Sequence, residues 1–292
     1  MSVFVLLVVL VLAVLLVVAL AALAAAAVVV AGRGAPAAPP VPAWRRAVRR
    51  VDTISLVAAA TGIVGALVAA TVLPTAFVSA TATPGLLAAL GPVLAGAVYV
   101  LTLALGELTW PRPQGQRREA FLVRRPALAP AGHLAARLVL VWLALGAVVV
   151  LVAGLIAEPD GRSVGTSTVD SGGQLLSSSA AGPFPGWPYG VPVLVGMVAL
   201  VLLHLWVRHL ITRRPAVAEV APEEDVRVRA LSATRVAQGV QLALAVTIVG
   251  LLLVAAGALA RVDLTVVAWG AGLLAAGIAV TAVVGTVRPV RP

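Results

Sequence analysis

The sequence predicts an all-α polytopic transmembrane helix bundle with seven spans, the amino terminus outside and the carboxyl terminus inside. Seven apolar runs lie near residues 3–31, 53–80, 85–106, 134–157, 191–211, 236–260 and 264–287. Each supplies the roughly 20 residues that a helix needs to cross a ~30 Å hydrocarbon core. Backbone amides in lipid must be satisfied inside the segment or in a closed barrel, and the alternating pattern of barrel strands is absent, so the runs read as helices.

Charge placement supplies the orientation. Of the 21 basic residues all are arginine, and 19 lie in or beside the segments that follow the first, third, fifth and seventh runs. Seven of the 11 acidic residues accompany them, for a net of +12, whereas Arg162 and Arg261 with the other four acids leave −2 in the remaining gaps. By the positive-inside rule the arginine-rich segments are cytoplasmic. Placement at helix ends and attraction to anionic lipid headgroups account for the overall charge of +10, so the expected partner is the lipid bilayer, with no nucleic acid.

Lysine, asparagine and cysteine are all absent. The first two have A-rich codons, so their absence points to a GC-rich genome, and the lack of asparagine and cysteine excludes Asn-linked glycosylation, disulfides and thiolate metal ligands. The first run has no basic n-region and is about twice as long as a signal-peptide core, which favours an uncleaved span, although Ala24 to Ala27 and Ala31 imitate a cleavage site.

Along the chain, the Ala/Pro linker 35–42 cannot continue a helix. The basic stretch Trp44-Arg45-Arg46-Ala47-Val48-Arg49-Arg50 then reads as a flank that stops transfer, or as a strip along an anionic leaflet. The last six runs pair as three hairpins, and aligning Arg50 on Arg235 matches Val51 with Val236 and Ala58 with Ala243, a hint of a parallel repeat. Small residues at every fourth position, Ala58, Gly62, Ala66 and Ala70 on the second run and Ala268, Gly272 and Ala276 on the seventh, are expected to face into the bundle. Pro74 and Gly91-Pro92 are expected to kink their helices. Trp44, Trp110 and Trp206 at inner ends, and Trp187, Tyr189 and Trp269 at outer ends, suit interface anchors.

Two connecting segments are long. The extracytoplasmic loop 158–190 reads as a flexible Ser/Thr/Gly connector followed by a rigid aromatic landing, with Asp160 and Asp170 as candidate weak cation ligands that fit no EF-hand spacing. The cytoplasmic loop 212–235 carries Glu219, Glu223, Glu224 and Asp225 before Arg227 and Arg229, a polar stretch suited to a short surface helix and a soluble protein partner.

A mid-membrane ionisable group is the default functional hypothesis, and only His204 lies inside a run, one turn before Arg208. Glu107 ends the third run. Glu107, His204, Arg208 and His209 therefore form a candidate polar cluster at the inner interface, with Glu107 pairing Arg208 if the third and fifth spans are neighbours. The plainer reading is that each group snorkels separately to headgroups. No nucleophile with a base, nucleotide loop or metal-ligand spacing is present, so no enzyme, cofactor or metal is expected.

Gly106-Glu107-Leu108-Thr109-Trp110-Pro111-Arg112-Pro113, and the pair of segments Ala157 to Ser163 and Gly182 to Gly190, resemble uncharacterised multi-pass membrane proteins of high-GC actinobacteria from about Arg50 onward. The resemblance implies a bacterial cytoplasmic membrane and carries over no catalytic residue. The function expected is that of a non-enzymatic accessory or envelope component with a membrane or cytoplasmic protein partner. The alternative is a small-solute or lipid transporter that lacks a buried coupling charge.

Overall fold

The structure, a computed structural model, describes residues 43–76, 84–111, 130–170, 173–217 and 220–287. Six α-helices lie within them: α1 (Ala43–Ala76), α2 (Leu86–Leu108), α3 (Pro130–Ile156), α4 (Trp187–Arg213), α5 (Pro222–Arg261) and α6 (Thr265–Val287). A two-stranded antiparallel hairpin, β1 (Val164–Val169) with β2 (Leu175–Ala181), sits between α3 and α4. All six helices are long and apolar enough to cross a membrane, as a multi-pass membrane protein requires. The first apolar run lies outside the described residues.

Helix ends follow from local chemistry. Gly85, at φ 82°, supplies the left-handed residue that admits the chain to α2. Pro222 opens α5 with Glu223, Glu224 and Asp225 in its first turn, where an absent amide donor costs nothing and negative charge complements the helix dipole. This corrects the expectation for 212–235. The helix suggested for that polar stretch is there, but as the first part of α5 rather than a short separate helix in a loop, because the acidic turn and Pro222 start a helix that Ala, Val and Leu continue without a break. The forty-residue α5 is about 60 Å long at 1.5 Å per residue.

Helix α5 is also the centre of the bundle, touching each of the other five helices. Its Val240, Leu244 and Ile248 are fully buried with Val100 of α2, Val139 and Val150 of α3, and Met197 and Leu200 of α4. Between apolar helices in lipid, close packing replaces the hydrophobic drive that water supplies. Glycines set the approach. A Cβ at Gly96 would strike Leu200 at 3.1 Å, and one at Gly146 or Gly239 would collide with Met197 or Tyr99. Outward positions such as Leu67, Leu155, Leu202, Val266 and Leu273 are exposed, as on a surface solvated by lipid.

The small-residue ridges enter the bundle only in part. Ala58 is buried and Gly62 packs on Tyr99, but Ala66 and Ala70 are exposed, and the inward line continues through Gly65 and Ala69. On α6 the inward line is Ala268, Ala275, Ile278 and Ala282, leaving Ala276 outside. A four-residue spacing overshoots the 3.6-residue turn, so such a ridge rotates about 40° per step and leaves the interface within two or three steps.

The described residues of 158–190 form a hairpin and a packed landing where the sequence suggested a flexible connector. Val164, Thr166 and Thr168 pair with Ala181, Ser179 and Ser177. Phe184 is 1% exposed beneath the hairpin, and its amide donates to Arg162 O at 2.7 Å. Thr166 Oγ1 donates to Val262 O, fastening the hairpin to the α5–α6 turn. Asp160 and Asp170 make turns: Asp160 accepts the Arg162 and Ser163 amides and the Ser163 hydroxyl, and Asp170 accepts the Gln174 amide. The hairpin defines one end of the bundle. The starts of α1 and α5 with the ends of α2 and α4 define the other, rich in arginine.

Candidate functional site: the polar layer at the arginine-rich end

Three helices deliver the layer. The last turn of α2 carries Glu107 and runs into Thr109 and Trp110; α1 brings Arg50 and Asp52; α5 brings Asp225, Arg229, Ser232 and Arg235. The fourth contributor is Arg214, the residue just past the end of α4. Its backbone leaves the helix at φ −58°, ψ 152°, while its amide still donates to Leu210 O. That turn carries its side chain toward α2.

Arg214 is 3% exposed. Its Nη1 lies 3.2 Å from Glu107 Oε2, and its guanidinium covers the Trp110 ring at 3.7 Å from the centroid. Burial lowers the affinity of this guanidinium for its proton, and the neighbouring Glu107 carboxylate opposes that shift. Arg50 approaches Trp110 at 5.6 Å and donates to Thr109 O and Oγ1. Trp110 is therefore enclosed by two cations instead of standing at an exposed interface.

Arg229 ties the α4–α5 connection together. Its Nε donates to Asp225 Oδ2 at 2.8 Å, and its remaining nitrogens donate to Ile211 O, Thr212 O and Arg214 O, carbonyls that the end of α4 leaves without helical partners. Asp225 also accepts the Val217 amide. On the far side Arg235 pairs with Asp52 at 3.4 Å, and Tyr99 donates its hydroxyl to Arg235 O at 2.9 Å across Gly239.

The sequence-derived residues part company here. Glu107 belongs to the layer, and its ion-pair partner is Arg214, not Arg208. Arg208 is half-buried and His209 exposed, and neither forms an ion pair among the described residues. His204 is 1% exposed within α4, with no hydrogen-bond partner for either ring nitrogen among the described residues. It lies nearly three turns before Arg214 along the chain, and neither ring nitrogen bonds to Glu107 or Arg214. Arg214, Trp110, Arg229 and Tyr99 carry the arrangement.

Two spaces adjoin the layer. An open groove of about 240 Å³ is bounded by Glu107, Leu108, Trp110, Leu210, Arg213 and Arg214. A water-sized space of about 10 Å³ lies among Ile54, Ser55, Glu107, Ser232 and Arg235. Among the described residues no three acidic or histidine side chains gather as a metal site. The layer fixes cations at one end of the bundle, a chemistry suited to holding anions. No family model, curated protein or solved structure matches the chain.

Proposed function

We propose that this protein is a non-enzymatic accessory or envelope component of a bacterial cytoplasmic membrane, acting through contacts with a membrane or cytoplasmic partner. The arginine-rich end would face the cytoplasm and the hairpin the exterior, as the positive-inside rule requires. The observation that favours this reading over transport is close packing among the described residues at two places within the bundle. Thr61, one of the polar positions on α1 that a pathway would need, bonds through its hydroxyl to Ala58 O and to Thr102 Oγ1 at 3.1 Å, between α1 and α2. At the crossing of α2, α4 and α5, Gly96 is closed over by Ala243 and Leu200.

Isolation in mild detergent after crosslinking in cells tests the proposal, with a reproducible stoichiometric partner expected. A chain always recovered alone would count against it, and solute flux in proteoliposomes would establish the transporter alternative. Orientation is read separately by introducing cysteine into this cysteine-free chain. An impermeant reagent applied to intact cells is expected to label Ser178→Cys and to spare Gly115→Cys, a position outside the described residues.

A further inference from the structure

We propose that the groove beside Arg214 binds the phosphate of an anionic phospholipid. The proposal rests on the membrane reading above, not on the identity of any protein partner. Arg214 uses Nη1 for Glu107, while its Nε and Nη2 are buried without a hydrogen-bond partner. Trp110 covers a face of the guanidinium, so what remains for recognition is its donor edge, the geometry that matches two oxygens of a phosphate. Arg213, exposed on the same wall and without an ion-pair partner among the described residues, stands where an entering anion passes. Arg50 also lies near Trp110, 5.6 Å from the ring centroid, and Glu107 is the one carboxylate beside the two arginines that line the groove.

The rest of the groove selects a lipid over a free ion. Leu108, 59% exposed, together with Leu210 and Pro215 gives it an apolar wall, which a glycerol backbone and the first acyl carbons would cover and inorganic phosphate would leave bare. About 240 Å³ is several times the ~30 Å³ share of one water, enough for a headgroup. The groove opens at the ends of α2 and α4, where helices that cross a bilayer reach its headgroups. A phosphate in the groove would meet Arg214 along its Nε–Nη2 edge once the side chains that bury those two nitrogens give way.

The test is native mass spectrometry of the full chain, extracted in detergent and titrated with dioleoylphosphatidylglycerol, dioleoylphosphatidylcholine or inorganic phosphate. One phosphatidylglycerol is expected to persist when phosphatidylcholine is stripped, and inorganic phosphate is expected not to displace it. Arg213→Gln, an exposed change that should fold normally, is expected to weaken retention about fivefold, the effect of one arginine near anionic headgroups. Arg214→Lys, which keeps the charge without the planar edge, should also weaken it. Arg49→Gln, exposed on α1 away from the groove, should leave it unchanged.

Equal loss in Arg49→Gln and Arg213→Gln, or no retained lipid, overturns the site. Displacement by inorganic phosphate overturns the lipid as its source. Alkaline carbonate washing of membranes separates this failure from failure of the membrane reading: a chain that stays in the pellet without retaining lipid refutes only the groove.

Discussion

The guanidinium of Arg214 lies 3.7 Å from the centroid of Trp110, held between that ring and the carboxylate of Glu107. The contact joins the end of α4 to the end of α2 by one buried cation. Such a pair is a weak net stabiliser as a pair, since desolvation offsets its Coulomb attraction, yet removing one partner strands a buried charge. Arg214→Gln is therefore expected to cost about 3 kcal/mol, well above the cost of replacing both Glu107 and Arg214 by leucine. In a double-mutant cycle read by thermal stability in detergent, Glu107→Gln and Arg214→Gln should couple strongly. Glu107→Gln with Arg208→Gln should be additive within ~0.5 kcal/mol, and coupling there would reinstate Arg208 as the partner.

Arg229 is expected to be the more sensitive arginine on α5. It satisfies three carbonyls that have no helical donor, and charged hydrogen bonds of this kind contribute about 1.5 to 3 kcal/mol each in favourable cases. Arg229→Ala should raise amide exchange through the α4–α5 connection and lower the unfolding temperature. Arg229→Lys should rescue little, because a single ammonium cannot span the Asp225 carboxylate and three carbonyls at once. Full rescue by lysine would mean that charge alone matters there.

The helices of the last six runs were legible because runs of Ala, Val and Leu this long have one physical solution in lipid. Their ends were not, because hydropathy falls at the first arginine whereas backbone hydrogen bonding continues: α1 begins at Ala43 beside Trp44 and Arg45, and α5 at Pro222. Glu107 was identifiable as an acid at a helix end. Its partner was not, since Arg208 shares a helix face with His204 but Arg214 reaches α2 only because the chain leaves α4 there in an extended conformation. The hairpin escaped for a different reason. Thr166, Ser167, Ser177 and Ser179 give no apolar alternation, and the same composition serves a solvated connector or a polar ladder.

Tyr99 and Gly239 make a matched pair whose replacement effects differ in kind. The ring lies on the bare backbone of Gly239, so Gly239→Ala forces α2 and α5 apart and is expected to cost about 1 to 3 kcal/mol. Tyr99→Phe keeps the ring and removes only the bond to Arg235 O, for about 1 kcal/mol. Combining Gly239→Ala with Tyr99→Ala should recover part of the loss, because the clash disappears with the ring. No recovery in thermal denaturation would show that the glycine serves some other neighbour.

His204 should be dispensable for stability. Both ring nitrogens are buried without a hydrogen-bond partner among the described residues, and exchanging such a group for an apolar side chain of similar size is close to neutral or stabilising. His204→Leu is expected to leave the unfolding temperature unchanged or to raise it. A marked loss would reveal a partner for the imidazole and would return it to the list of functional groups.

At the opposite end, the turn made by Asp160 should report on pH. Its carboxyl is held below the ordinary value of 3.8, chiefly by the Arg162 amide, against the smaller influence of desolvation and with help from Ser163. A depressed folded value means that the carboxylate form stabilises the turn above the unfolded pKa, and that this contribution fades as pH falls through the folded one. The window therefore lies below about pH 4. The Arg162 and Ser163 amide resonances are expected to move in that range in the wild-type chain and to stay fixed in Asp160→Asn. Movement that persists in the Asn variant would assign the titration to another carboxyl group and leave Asp160 as an incidental neighbour of the hairpin.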